Sequence, residues 1–457
     1  MTQPPSDQLF QLALEHQQAA RLREAEEMLR RILDRDPRHS EALLSLAVVA
    51  RKTGRSDLAV ELLRKAIGAR PDFAEAHSNL GNALKDTGQL DEAIPAYRRA
   101  IALNPGLPEA HNNLANSLKD KGEFDEAIAE YRRAIQLNPE YASAHTNLGM
   151  TLLLTGQFPE GWIEYEWRVR LPGAVAPGRD ISQQLWEGGD LAGRRILLHA
   201  EQGLGDTIQF IRFVPSVIQR GGQVLVQAQP ELIPFLRQMP GVQTWVAKNE
   251  PLPPFDLQCP LLSLPRIFGT TLQNIPRQNV LHADAKKMEQ WRHRIEGQST
   301  RLKVGLVWAG SRSHRKDRTR SIPLSLFAPF AAAGVDFFSL QKGEAAGGAA
   351  NPPAGMPIID WTNELYDFAD TAGLVANLDV IISVDTAVAH LAATMGKPVW
   401  LLLPYVPDWR WMMDREDSPW YTTMRLFRQK PRGDWEPTIS RAANALLGRG
   451  GENVRVI

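Results

Sequence analysis

Four short segments carry residues whose types and spacing suit chemistry. The first is AEQGLGDTIQF (200–210), which follows the apolar run RILLHA. Gly203 and Gly205 suggest the turn of a dinucleotide site, with a sharp change of direction from strand to helix. Ile208 stands where the third glycine of that fingerprint belongs, so the fingerprint fails. What the turn offers instead is Asp206 at a helix start. A carboxylate there can accept the proton of an attacking hydroxyl, or simply cap the helix. The second segment, IISVDTAVAHLAATMGKP (381–398), ends a strand and opens a helix at Asp385 and Thr386. Their side chains can cap backbone N–H groups, and such a helix start also suits a phosphate. His390 lies one turn beyond Thr386, either on the same side as the helix start or packed in the core. The third, WAGSRSHRKDRTRSIP (308–323), carries Ser311, Arg312, Arg315, Lys316, Arg318 and Arg320 after a strand. It reads as a solvated charged loop, as a nucleic-acid patch, against which the neutral chain and the lack of interleaved aromatics count, or as a cover for a pyrophosphate, whose departure cations would stabilise. The fourth is SLQKGE (339–344), where Gln341, Lys342 and Glu344 could contact a nucleoside.

These segments need a scaffold that brings strand ends together. Beyond Leu171 and the connector PGAVAPGRD, apolar runs alternate with helical patterns. RILLHA (195–200), QVLVQA (223–228), KVGLVW (303–308), VDFFSL (335–340), DVIISV (379–384) and PVWLLL (398–403) read as buried parallel strands. DTIQFIRFVPSVIQRG, SLFAPFAAAG, LYDFADTAGLVANL and TAVAHLAATMG read as helices, and EPTISRAANALLG as a closing helix. The alternation argues for doubly wound α/β, in two Rossmann-like domains facing a cleft. The helix-like stretch DAKKMEQWRHRIEGQS (284–299) separates the two sets of strands, placing them at 171–299 and 300–457. PYVPDWRWMMDREDSPWYTTMRLFRQ (404–429) is unusually aromatic. It is either a packed loop or a cleft wall on which Trp409, Trp411 and Trp420 stack a sugar ring.

Residues 1–170 have a different organisation, an α-helical solenoid of about five repeats. Pro37, Pro71, Pro105 and Pro139 are each 34 residues apart, as are Gly54, Gly88, Gly122 and Gly156. Leucine early, Ala93/Tyr97 and Ala127/Tyr131 later, and a closing proline make the tetratricopeptide pattern. The first repeat has Ala20 in place of the turn glycine, and the fifth decays, as the ends of a finite stack should. Asn79, Asn113 and Asn147 recur with this period, two residues after His77, His111 and His145. They form either a polar face that satisfies neighbouring backbone or a ladder for an extended acceptor peptide.

Bulk composition narrows the classes. Lysine plus arginine balances aspartate plus glutamate at 52 each, which gives no global reason to bind nucleic acid. The single cysteine, Cys259, allows no disulfide within the chain and fits a reducing cytoplasm. No signal peptide or membrane span is expected.

Together, GDTIQFIRFVP (205–215), the basic loop before Ser-Ile-Pro, and SVDTAVAHLAATMGKP resemble the GT-B glycosyltransferases of the heptosyltransferase-like family over roughly 190–430. The repeats resemble those of protein O-glycosyltransferases. The resemblance implies Asp206 as general base and Asp385 and Thr386 at the donor's sugar-phosphate end. It implies peptide binding at Asn79, Asn113 and Asn147. Ala387 stands where the family often has glycine, and the basic loop is longer and richer in arginine. The sheet region holds no Asp-x-Asp, so the expected transfer is inverting and metal-independent. No cofactor is expected beyond a nucleotide-sugar substrate. The expected acceptor is a protein such as flagellin, by analogy of layout. Transfer to lipopolysaccharide or another glycan, and a non-catalytic scaffold, remain alternatives.

Overall fold

The computed structural model describes residues 5–173, 183–277, 281–299, 301–312 and 317–448. Most of the connector PGAVAPGRD, and Arg315 and Lys316 of the basic loop, lie outside the described residues. The chain divides into two compact units, Met1–Leu152 and Leu153–Ile457.

The first unit is a stack of antiparallel helix pairs, and the 34-residue period reports the physics of its turns. The first helices of repeats two to four, Ser40–Lys52, Ala74–Asp86 and Pro108–Lys121, each end at a glycine in the left-handed region. Gly54, Gly88 and Gly122 have φ of 78°, 81° and 92°, a conformation that costs an L-residue about 1–2 kcal/mol. The second helices, Ser56–Ala69, Leu90–Leu103 and Phe124–Leu137, stop where the next residue precedes a proline. Arg70, Asn104 and Asn138 are extended there, with φ near −140°, because a following proline disfavours the helical region. Ala93 and Ala127 are fully buried, and Tyr97 and Tyr131 fill the core beside them. Each tyrosine hydroxyl donates to an asparagine of its partner helix, Asn82 or Asn116, at 2.8 Å.

The second unit contains two sheets in which all strand pairs are parallel. Strands β1 (Arg195–His199), β2 (Gln223–Ala228), β3 (Val242–Ala247) and β4 (Leu257–Pro260) form the first, in the order β3-β2-β1-β4. The second contains β5 (Lys303–Val307), β6 (Asp336–Ser339), β7 (Ile358–Ile359), β8 (Val380–Val384), β9 (Val399–Leu403) and β10 (Met424–Arg428). Its order, β10-β9-β8-β5-β6-β7, is that of a doubly wound sheet whose direction of winding reverses between β5 and β8. The six apolar runs all form strands, which are buried because both faces of such a sheet are covered. On one face the closing helix Glu436–Leu447 and Phe327 and Phe330 pack on Val304, Leu306, Ile382 and Trp400.

Three local features differ from the sequence expectation. SLFAPFAAAG forms a 3-10 helix, Leu324–Ala333, because Pro329 inside it has no N–H to donate. DTIQFIRFVPSVIQRG is broken into Leu204–Phe210, a 3-10 turn and Val214–Ile218. Strand β10 runs through the segment read as an aromatic loop.

Ala20, which replaces the turn glycine of the first repeat, keeps the left-handed conformation, with φ of 57°. Ala20→Gly is therefore expected to stabilise the protein by about 0.5–1 kcal/mol, after the added flexibility of the unfolded glycine is subtracted. Equilibrium urea unfolding of the full chain measures this, and an unchanged or lower midpoint would refute it.

Candidate functional site

In both sheets the strands are parallel, so the loops at their carboxyl ends emerge on one side. Those loops line a cleft of ≈ 1430 Å³. Gln202–Asp206 enters it after β1, Trp308–Arg312 after β5, Gln341–Glu344 after β6 and Asp385–Val388 after β8. The carboxyl end of the sheet at the reversal between β5 and β8 is the usual ligand position in an open α/β sheet.

Asp206 lies at the third position of the Leu204–Phe210 helix. One carboxylate oxygen accepts the Gly203 N–H at 2.8 Å, a capping bond. The other accepts from the Arg410 guanidinium, which comes from the other sheet's side of the cleft. Arg410 also donates to Gln209 and to Asp408, each at 2.7 Å, and lies 4.3 Å above the Trp409 ring. Burial opposes its charge, but Asp408 and Asp206 more than compensate, so its pKa is raised. Asp206 thus caps its helix, holds an ion pair and still faces the cleft.

Neither Gly203 nor Gly205 adopts a positive φ, so the expected need for a special turn conformation is corrected. Gly205 answers a different constraint. A Cβ on it would stand 2.8 Å from His390 Cδ2, closer than real side chains approach. The helices Leu204–Phe210 and Ala387–Thr394 pack against each other, and the hydrogen of Gly205 makes room for the imidazole.

Asp385 follows β8 and lines the cleft. Burial and the neighbouring Asp408 carboxylate push it up to about 6, against the pull of Arg320 and Arg410. Arg320 donates to the Asp385 carbonyl at 2.9 Å and so ties the basic loop to the β8 end. Thr386 is the N-cap of the Ala387–Thr394 helix, yet its side chain makes no capping bond. Its hydroxyl pairs with Ser383 Oγ at 3.0 Å, which leaves the helix start without a side-chain cap. His390 is buried. Desolvation, reinforced by Arg410, pushes its imidazole down to about 3. The neutral ring bonds the Tyr421 hydroxyl at 2.9 Å and lies 3.8 Å from Asp385, too far for a hydrogen bond.

Gln341 and Lys342 reach the cleft with their polar atoms engaged. Gln341 Oε1 accepts from the Trp308 and Ala309 N–H groups at 3.0 and 2.8 Å, and its amide donates to the Ala309 and Lys342 carbonyls. Lys342 Nζ donates to the Thr362 and Leu365 carbonyls at 2.6 and 3.0 Å. Both side chains brace loops. Glu344 pairs with Arg312 at 2.6 Å on the exposed rim. Ser311 and Arg318 are exposed and line the same cleft.

In the first unit, the repeated asparagines bond within the stack. Asn79 donates to the Glu75 carbonyl at 2.9 Å, Asn113 to Asn82 at 3.0 Å and Asn147 to Asn112 at 3.1 Å. All three remain partly exposed. His77, His111 and His145 each contact a carbonyl six residues back, at Pro71, Pro105 and Pro139, and so tie the turns between repeats.

Sequence reading missed Arg410, Asp408 and Gln209, because a guanidinium bridging two sheets leaves no local pattern. It also missed the buried network behind β1. There Arg168 binds Glu201 at 2.6 Å, Glu166 at 3.1 Å and Ser263 at 2.8 Å. Trp409, Trp411 and Trp420 are buried and form no cleft wall. Trp409 and Trp420 cluster with Trp162 in edge-on contacts at 5.2–6.5 Å.

Residues 10–72 match a family model described as tetratricopeptide repeat, and residues 81–122 and 115–156 match one described as TPR repeat. The array is therefore one of tetratricopeptide repeats. Protein FlbA of Caulobacter vibrioides is 28% identical over 295 residues, which cover 59% of this chain and 49% of that protein. The chain thus spans about half the length of that relative. The match is longer than the first unit, so the likeness reaches into the second. Among solved structures, MamA is 25% identical with a TM-score of 0.32, covering 36% of this chain and 90% of its own. PilW, a type IV pilus biogenesis factor, is 26% identical with a TM-score of 0.35, covering 38% and 81%.

The raised pKa of Asp385 has a consequence for stability. The folded state holds this proton more tightly than the unfolded chain, so the site is destabilising once pH rises through the window from about 4 to about 6. Asp385→Asn is expected to stabilise the protein at pH 7 by up to about 3 kcal/mol, with the gain fading toward pH 4. Urea midpoints of both proteins across that range measure it. A gain independent of pH would contradict the assignment.

Proposed function

We propose that the second unit is a GT-B-type glycosyltransferase. It moves a sugar from a nucleotide-sugar donor to a hydroxyl of a protein acceptor engaged by the repeat array. One observation carries this reading: the carboxyl ends of two doubly wound sheets meet at one cleft. There Asp206 enters from one side, and Asp385, Arg320 and an uncapped helix start from the other. A donor diphosphate suits the helix start and Arg320, with Arg318 nearby. The acceptor oxygen attacks the anomeric carbon as the bond to the diphosphate oxygen breaks. The hydroxyl proton passes to Asp206, and the nucleoside diphosphate leaves with the electron pair. Attack opposite the departing group inverts the anomeric centre. The charge for departure comes from the arginines and the helix dipole, without a metal ion. The repeats support engagement of a protein partner.

A second reading has an observation in its favour. Both Asp206 oxygens are already partnered, by Gly203 and Arg410, as in a site that serves structure alone. The chain would then be a tetratricopeptide scaffold.

Incubating the full chain with labelled nucleotide sugars and bacterial protein, followed by mass spectrometry, separates the two. Sugar should appear on protein. Asp206→Asn should lower kcat about a hundredfold or more with the fold intact. Consumption of no nucleotide sugar by the parent chain would leave the scaffold reading standing. Turnover should also be unaltered by EDTA, and its complete loss would overturn the metal-independent scheme.

A further inference from the structure

The cleft contains a side chain that the transfer scheme does not use. Tyr366 lines it and is 82% exposed, more than any other large apolar residue described. A solitary exposed ring on a surface needs no explanation. This one stands inside a cleft, on a backbone held from several directions. Lys342 Nζ grips the carbonyls of Thr362 and Leu365. The Tyr366 N–H donates to Asp370 at 3.0 Å, and the next N–H donates to the same oxygen at 3.3 Å. Leu365, 3% exposed, anchors the loop from below. The segment is fixed while its ring is presented to the cleft, a preorganised platform whose ordering is complete before a ligand arrives.

Its position along the sheet says what the ring meets. The edge of the sheet runs β8, β5, β6, β7. Arg320 and the uncapped helix start lie at the β8 end. The Tyr366 loop follows β7 and is pinned by Lys342 at the end of β6. Neighbouring strands are ~4.8 Å apart, so the two places are separated by two to three spacings, roughly 10–14 Å. That is the reach of a nucleoside beyond its diphosphate. Asp367, the next residue, also lines the cleft. Its charge disfavours phosphate beside the ring, so the anionic part of a ligand belongs at the Arg320 end.

Resting on the transferase reading, we infer that Tyr366 is the stacking platform for the donor's nucleobase. Base–aromatic stacking contributes enough that removing the ring weakens binding about tenfold or more.

The test is calorimetric titration of the full chain with ADP, UDP, GDP and dTDP, and with inorganic pyrophosphate. The parent should bind at least one nucleoside diphosphate more tightly than pyrophosphate. Tyr366→Ala should lose about tenfold on that nucleotide and nothing on pyrophosphate, while Tyr366→Phe should bind as the parent does. If Tyr366→Ala binds the nucleotide unchanged, the stacking role is wrong while the transferase reading stands. An equal loss on pyrophosphate also overturns it, because the ring would then act through the phosphate end. A parent chain that binds none of the four nucleotides overturns both.

Discussion

The second unit depends on the burial of one guanidinium. Arg410 is 7% exposed in its side chain, and a charge so placed must find partners for its donors or unfold the region around it. Those partners come from two directions. Asp206 and Gln209 belong to the helix after β1, and Asp408 to the loop after β9. Removing one member of such a pair costs about 3–5 kcal/mol, because the other charge stays buried. The two sheets are therefore joined by an interaction that neither could satisfy alone. Trp409 and Phe210 lie against the guanidinium at 4.3 and 5.6 Å, and Trp162 and Trp420 pack on them in turn. Arg212, which donates to the Trp420 carbonyl at 2.8 Å, adds a second bond across the same seam.

The same joint sets two carboxylates of the cleft in unlike surroundings. Asp206 has a guanidinium and a backbone donor on its two oxygens. Asp385 lies close to Asp408, and its carbonyl accepts from Arg320. Asp408 links their fates, since it neutralises Arg410 on one side and repels Asp385 on the other.

What was legible in the sequence follows from how local each signal is. The repeat period was legible because every turn needs a left-handed residue and every second helix needs a stop. Both requirements fall on single residue types at fixed positions. The six strands read from the sequence were legible because burial on both faces demands unbroken apolar runs. Strands β3 and β4 were not, since VQTWVA is half exposed and LQCP is interrupted by Gln258 and ends in a proline. Strand β10 hid among aromatic residues that serve the seam rather than the cleft. The segments at the strand ends were found because parallel strands oblige their carboxyl ends to share a side. The state of each side chain was not, because Gln341 and Lys342 are committed to backbone groups that no pattern announces.

The two units also show how one residue type takes its role from its surroundings. Glycines 54, 88 and 122 serve backbone geometry, and their φ values record it. Gly205 has an ordinary conformation and serves proximity, because His390 fills the space a Cβ would need. The histidines divide in the same way. His77, His111 and His145 tie turns through backbone carbonyls, whereas His390 is kept neutral by burial beside Arg410 and Arg212. A neutral ring there adds no cation to a seam that already holds two buried arginines. It packs against Gly205 and brings the Asp206 helix up to the start of the Asp385 helix. The seating of one helix against the other is thus a result of packing as much as of charge.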